Sequence, residues 1–153
     1  MVLVSKKAQS IRFKESDIRE MGRGAAGVRA IKISGDDGVI GVSVVRKGDS
    51  KAEVLALSSL GFGKKTKLKE YKVQKRGGTG IKTAKLTSKT GELISAQVVY
   101  DEEGEIVAIS KKGQVIRVDL KEIPITRKAN ARRTHYETSK RRRTCRTYLS
   151  LDS

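Results

Sequence analysis

Gly22-Arg23-Gly24-Ala25-Ala26-Gly27-Val28-Arg29-Ala30-Ile31-Lys32-Ile33 aligns with Lys75-Arg76-Gly77-Gly78-Thr79-Gly80-Ile81-Lys82-Thr83-Ala84-Lys85-Leu86 at an offset of 53 residues, and Gly38 and Gly91 keep the same offset. A second string, Ser5-Lys6-Lys7-Ala8-Gln9-Ser10-Ile11-Arg12-Phe13, returns two periods later as Ser110-Lys111-Lys112-Gly113-Gln114-Val115-Ile116-Arg117-Val118. Ser59-Leu60-Gly61-Phe62-Gly63-Lys64-Lys65-Thr66 stands between them as the middle copy. Self-similarity at a fixed period marks a repeat architecture, in which each unit buries its apolar face against its neighbours. A period near 52 residues holds about four short strands, the size of one propeller blade. The 153-residue chain therefore holds about three such units.

The sequence between the repeats reads as strands and turns. Val39–Val45, Glu53–Leu57, Leu93–Val99 and Glu105–Ile109 are short runs rich in Val, Ile and Leu. Turn signals separate them at Gly35-Asp36-Asp37-Gly38, Lys47-Gly48-Asp49, Lys89-Thr90-Gly91 and Glu102-Glu103-Gly104. Fifteen glycines against one proline (Pro124) and no tryptophan suit many tight turns, and no stretch sustains a 3.6-residue apolar period. The expected fold is all-β: a propeller-like array of about three four-stranded blades, with units at about 1–50, 51–103 and an incomplete one at 104–131.

Composition then narrows the chemistry. Lys and Arg number 34 against 17 Asp and Glu, a formal charge of +17, with a pI near 10.2 and a mean hydropathy of −0.46. No apolar run approaches the about 18 residues of a membrane span. The first residues lack the apolar length and small-residue cleavage site of a signal peptide. A single cysteine (Cys145) excludes an intramolecular disulfide framework, and a single histidine (His135) leaves little for a zinc site. These features indicate a cytoplasmic protein with a polyanionic partner, because so large a cationic surplus repels itself unless phosphates or similar anions offset it.

The cations also recur in register. Arg29 and Lys32 occupy the same unit positions as Lys82 and Lys85, and Arg12, Lys65 and Arg117 share another. A radial array places equivalent positions along one rim, where they form a continuous basic stripe. A nucleic-acid backbone is the partner that such a stripe fits.

The repeat strings resemble the C-terminal domain of the DNA gyrase A protein from about Val4 to Asn130. The carriers are Ile11 to Gly24, Gly61-Phe62-Gly63-Lys64-Lys65-Thr66, Gln74-Lys75-Arg76-Gly77-Gly78-Thr79-Gly80 and Lys112-Gly113-Gln114-Val115-Ile116-Arg117. The resemblance implies a β-pinwheel, a ring of six four-stranded blades that exchange strands, of which this chain resembles the last three. It implies binding and wrapping of duplex DNA on a basic outer rim, in support of ATP-dependent negative supercoiling by the gyrase A and gyrase B proteins together. Gln74–Gly80 is similar to the gyrase-A box, although Thr79 stands where a basic residue is usual and the flanking sequence resembles late blades. Consecutive glycines let backbone N–H groups approach a phosphate, while Lys75 and Arg76 supply charge. The residues expected to contact DNA are Arg12, Lys14, Arg23, Arg29, Lys32, Lys64, Lys65, Lys67, Lys75, Arg76, Gly77, Gly78, Gly80, Lys82, Lys85 and Arg117. The alternatives are the corresponding domain of topoisomerase IV and a stand-alone propeller that scaffolds other proteins.

Other motifs fail on context. Gly22–Gly27 has the form G-x-G-x-x-G, but β-like sequence follows where a dinucleotide site needs a helix. Gly63-Lys64-Lys65-Thr66 lacks the upstream glycine of a P-loop. Asp36/Asp37 and Glu102/Glu103 sit in turn signals and read as solvated hairpin tips. Tyr71, Tyr100, Tyr136 and Tyr148 lack the sequence context of the family's DNA-cleaving tyrosine. No catalytic residue, metal, cofactor or small-molecule substrate is therefore expected of this chain.

After Asn130 the pattern breaks, and 132–153 reads as a basic tail. A third glycine-plus-strand copy is due near position 132. Codons permitted for Arg132 through Lys140, read one nucleotide later, give Gly-Val-Arg-Ile-Met-Lys-Leu-Arg, which matches the repeat unit in register. A frameshift from about Arg132 to about Arg146 is therefore expected, and the nucleotide sequence tests it at Arg133, His135 and Tyr136. Residues 126–147 carry nine Lys and Arg against Glu137 alone, so they contribute eight of the seventeen net charges. Three blades are also half the ring expected of the family, which would leave strand edges exposed at both ends.

Overall fold

The computed structural model describes residues 1–46, 48, 51–100, 104–110 and 113–126, together with the backbone of Cys145–Ser150. In chain order the strands are β1 (Val2–Ser5), β2 (Gln9–Arg12), β3 (Val39–Ser43), β4 (Glu53–Ser58), β5 (Gly63–Lys67), β6 (Ile81–Lys82), β7 (Leu93–Val99), β8 (Glu105–Ser110), β9 (Val115–Asp119) and β10 (Cys145–Ser150). They form three sheets, ordered β3-β1-β2-β6, β5-β4-β7 and β10-β8-β9. Every ladder between these strands is antiparallel, and no α-helix occurs among the described residues. The all-β expectation holds. The four Val/Ile-rich runs are strands β3, β4, β7 and β8. The hairpin partners β2, β5 and β9 escape a composition reading, because QSIR, GKKTK and VIRVD carry too many polar residues to read as apolar runs.

Each sheet is built from the same device. A hairpin (β1-β2, β4-β5, β8-β9) runs into a 3₁₀ turn at Glu15–Asp17, Leu68–Glu70 or Leu120–Glu122. A long excursion follows, and the chain returns as a third strand beside the first hairpin strand. The hairpin turns are chemically alike. The hydroxyls of Ser5, Ser58 and Ser110 accept the N–H of Gln9, Phe62 and Gln114 at 3.1, 3.1 and 3.0 Å. The third turn residue, Ala8, Gly61 or Gly113, has a positive φ of 63°, 82° or 79°, a conformation that glycine adopts without steric cost.

Packing explains why β4 is buried along nearly its whole length instead of alternating. Val54 and Ala56 face the first sheet, in a core shared with Val2, Val4, Leu68, Tyr71, Leu93 and Ala96. Leu55 and Leu57 face the third sheet, with Val99, Ile106, Val118, Leu120 and Ile123. A strand packed on both faces reads as a continuous apolar run. Close approach between β3 and β7 requires Gly41, where a Cβ would lie 2.0 Å from the Ala96 carbonyl oxygen. The far face of the first sheet holds a third core of Leu3, Ile11, Phe13 and Ile31.

Successive units also exchange strands. β6 belongs by sequence to the second unit yet pairs with β2 of the first sheet, through Gln9↔Lys82 and Ser10↔Ile81. A parallel bridge, Arg12↔Val73, precedes it, and the equivalent bridge Lys65↔Ile125 ties the third unit to β5. The proposed frameshift segment lies outside the described residues, apart from the backbone of Cys145 and Arg146.

Candidate nucleic-acid interface

The outer edge of β2 positions the site. The chain docks there at Gln74, whose N–H donates to the Arg12 carbonyl at 2.7 Å, and rejoins the edge as β6. Residues 75–80 loop out between these two anchors. Gly80 makes the return possible: its φ is +70° and a Cβ would sit 2.2 Å from the Ser10 carbonyl oxygen. Gly77 also has a positive φ, of 80°. Glycine at both positions is thus a backbone requirement of the loop, whatever the loop binds.

The equivalent segment of the first unit lies directly against this loop. The Gly77 N–H donates to the Ala30 carbonyl at 2.6 Å, and the Lys32 N–H donates to the Gly78 carbonyl at 2.8 Å. Arg76 adds two bonds, from Nε to the Asp17 carbonyl at 2.9 Å and from Nη1 to the Arg29 carbonyl at 3.2 Å. Ile31 is buried in the third core with Leu3, Ile11 and Phe13, which pins the first-unit segment to the sheet face. Two copies of the glycine-rich string, 53 residues apart in sequence, are therefore neighbours in space.

Among the expected contact residues, Lys14, Arg23, Arg29, Lys32, Lys67, Lys75, Arg76, Lys82, Lys85 and Arg117 are exposed. Lys82 Nζ reaches back to the Lys7 carbonyl at 3.4 Å, and Arg117 Nε lies 3.5 Å from Glu105 Oε2. Arg12 is half-buried, with Nη1 donating to the Leu68 and Tyr71 carbonyls at 3.2 Å each, so it braces the following unit.

Lys64 and Lys65 correct the sequence reading: they are only 3% and 1% exposed. Lys64 stands where the other units have Ile11 and Ile116, and its Nζ donates to the Thr83 carbonyl at 2.5 Å. Burial pushes its pKa down to about 8, opposed by the charge of Glu70. Lys65 Nζ lies 3.5 Å from Glu53 Oε2, itself largely buried. Neither ammonium is on the surface.

The acidic turn also departs from expectation. Asp36 is exposed and pairs with Lys6 at 3.5 Å and with Lys7. The hydrogen bond from Lys7 holds its carboxyl below the usual range. Asp37, however, is a built-in acceptor: it takes hydrogen bonds from Ser5 Oγ at 2.7 Å, the Lys7 N–H at 2.9 Å and the Gly38 N–H at 2.9 Å. Burial opposes its charge, but these donors prevail and lower its pKa. The Asp36–Asp37 turn thus neutralises Lys6 and Lys7 locally. Glu102 and Glu103 lie outside the described residues.

Tyr71 is sealed in the core, where burial pushes its phenol up to about 12. Tyr100 donates to the Val44 carbonyl at 2.9 Å, accepts the Arg46 N–H at 3.1 Å and lies under the Arg46 guanidinium at 5.4 Å. Tyr136 and the side chain of Tyr148 are outside the described residues. Gly22–Gly27 leads into chain without regular secondary structure apart from a bend at Ile31, so neither the expected β-strand nor the helix that a dinucleotide would require follows it. Among the described residues no helix is long and apolar enough to cross a membrane.

Lys69 and Lys121, absent from the expected contact residues, are both exposed and both central in a 3₁₀ turn, with Lys121 Nζ 3.2 Å from Asp119 Oδ2. Their signal was present as Leu68-Lys69-Glu70 and Leu120-Lys121-Glu122, identical strings 52 residues apart.

The model of a protein family described as DNA gyrase C-terminal domain, beta-propeller, matches residues 1–46, 52–99 and 104–130. The DNA gyrase A protein of Thermotoga maritima is 41% identical over 116 residues, covering 76% of this chain and 14% of that protein. The DNA gyrase A protein of Ureaplasma parvum is 44% identical over 115 residues, covering 75% of this chain and 13% of the relative. The chain thus spans about one-seventh of the length of these curated relatives. Among solved structures, a DNA gyrase A C-terminal domain superposes with a TM-score of 0.75 at 24% identity, over 94% of this chain and 47% of that one. A topoisomerase IV C-terminal domain gives 0.85 at 17% identity, over 96% and 45%. At these identities the two structures speak to the fold alone.

Proposed function

The chain belongs to the DNA gyrase C-terminal domain family, and from that premise we propose that it binds duplex DNA without base specificity and wraps it. The observation that carries this reading is the exposure of the in-register cations Arg29, Lys32, Lys82 and Lys85, flanking two glycine-rich segments that lie side by side. Lysine and arginine contacts to phosphate fix position and supply affinity without a base code. Choice among sequences then rests on how readily the duplex bends. Within a whole enzyme the domain would present wrapped DNA to the remainder of the gyrase A protein and to the gyrase B protein, in the bacterial cytoplasm, for ATP-dependent negative supercoiling. By itself it cuts no DNA and hydrolyses no ATP.

An electrophoretic mobility-shift series in rising salt tests binding. The log–log slope of affinity against salt should be about −0.9 for each phosphate neutralised, and similar for duplexes of unrelated sequence. No shift at low salt would leave the scaffold reading standing. Relaxation of a bound circular plasmid by a nicking–closing enzyme tests wrapping, which leaves residual writhe after the protein is removed.

A further inference from the structure

We infer that Arg76 is a positioning residue that locks the glycine-rich segments of two successive units together, so that Lys75 on one and Arg29 and Lys32 on the other meet DNA as a single site. The DNA half of this inference rests on the binding reading above; the lock itself does not.

The two cations of the loop, Lys75 and Arg76, are already differently engaged in the free protein. The guanidinium of Arg76 faces two backbone carbonyls of the first unit, Asp17 and Arg29. Beside them lie the two backbone bonds that join the segments, Gly77 N–H to Ala30 and Lys32 N–H to Gly78. One side chain therefore reinforces a two-bond seam. A guanidinium suits the task, because its fixed fork can donate in two directions at once, which a lysine ammonium on a flexible stem does less well.

The repeat supplies a comparison inside the same molecule. Arg23 is the counterpart of Arg76 in the first unit. Among the described residues Arg23 is exposed and makes no hydrogen bond or ion pair, whereas Arg76 makes two bonds. Equivalent positions thus have different duties, and of the two only the second-unit arginine bonds to a neighbouring segment. Lys75, next to Arg76 in the chain, is exposed without such bonds and keeps its ammonium available to phosphate.

The consequence is coupling. Arg29 and Lys32 flank the first-unit side of the seam, which runs through Ala30 and Lys32 itself. Loss of the Arg76 bonds frees that segment to fluctuate, and cations on a fluctuating segment contribute less to binding, because ordering them costs conformational entropy. Arg76 should therefore act on DNA affinity through the ordering of Arg29 and Lys32 and not through its own charge.

Three variants of the whole chain test this: K75Q, R76Q and R76K, each alone and each combined with R29Q/K32Q. K75Q should reduce the salt slope by about 0.9, one phosphate's share. R76Q should reduce it by about twice that or more, and its effect should largely vanish in the R29Q/K32Q background. R76K keeps the charge and loses the fork, so it should behave like R76Q. If R76K restores wild-type binding, or if R76Q and R29Q/K32Q add independently, Arg76 is a simple phosphate ligand and the inference is overturned. Amide hydrogen exchange of the DNA-free protein gives the second readout. R76Q and R76K should speed exchange at Lys32 and Gly77, and unchanged exchange there overturns the lock. A wild-type chain that binds no duplex at low salt overturns the shared DNA site together with the binding reading. The exchange result on free protein still decides the lock, which keeps the two failures apart.

Discussion

At the scale of single residues, Lys64 shows how a sequence reading can mistake the surface. Gly63-Lys64-Lys65-Thr66-Lys67 reads as a polar stretch with its lysines on the surface, and nothing local says otherwise. Its burial is imposed by residues distant in sequence: the Thr83 carbonyl on Lys64, and the Pro124 carbonyl and Thr126 N–H on the backbone of Lys65. The interior ammonium has a measurable signature. Folded Lys64 releases its proton near pH 8, whereas the unfolded side chain holds it to about 10.5. Between these values the unfolded state binds more protons, so stability should rise with pH across that window. Below pH 8 the penalty for burying the charge is fully present. K64I, which installs the residue type of Ile11 and Ile116, removes the titrating group and should flatten this rise. Burying an apolar side chain in place of a charge is also often neutral or stabilising. Urea midpoints for both proteins at pH values of about 7, 8.5 and 9.5, one below the folded pKa and two between the folded and unfolded values, check the slope. Equal slopes for K64I and wild type would place the titration elsewhere.

At the scale of elements, β3, β4, β7 and β8 were legible as apolar runs; β1, apolar but only four residues long, was not, nor were the cation-bearing β2, β5 and β9, which are stabilised by pairing and by their turns more than by their own hydrophobicity. The turn serines carry that information. Ser58 is buried at 3% exposure, and its hydroxyl accepts the Phe62 N–H; Ser110 makes the same bond to Gln114 while half-exposed. A buried donor left without a partner costs about 1–3 kcal/mol, whereas an exposed one turns to water. Ser58→Ala should therefore destabilise by about 1–2 kcal/mol, and Ser110→Ala by about 0.5 kcal/mol or less. Denaturant midpoints of the two variants give the comparison, and equal losses would mean that the hydroxyls act through the hairpin backbone alone. Ser5 occupies the same turn position but also donates to Asp37. That added role was hidden in the sequence, because the acidic turn lies some 30 residues downstream and repeats in the second unit as Lys89-Thr90.

At the scale of the molecule, the repeat announced the number of units, but the spacing alone gave no sign that two copies of the glycine-rich string would touch. That contact is a product of strand exchange: once β6 crosses to the first sheet, its preceding loop must lie over the first unit. Exchange also sets how the molecule comes apart. In arrays whose neighbours only pack, stability is roughly a sum of unit and interface contributions, and one unit can open while the next stays closed. Here the second unit supplies the edge strand of the first sheet, and the two sheets share one core containing Val2, Val4, Val54 and Ala56. Opening the first sheet should therefore expose the second. Gly80→Ala makes the test, since its Cβ collides with the Ser10 carbonyl where the exchanged strand rejoins β2. A non-glycine residue at such a φ costs about 1–2 kcal/mol before any clash is counted. If the sheets open as one unit, native-state hydrogen exchange should show amides of Val54–Leu57 in β4 losing as much protection as those of Val2–Val4 in β1. If instead β1 and β2 lose protection and β4 keeps it, the exchanged strand is a surface strap, and the blades unfold one at a time.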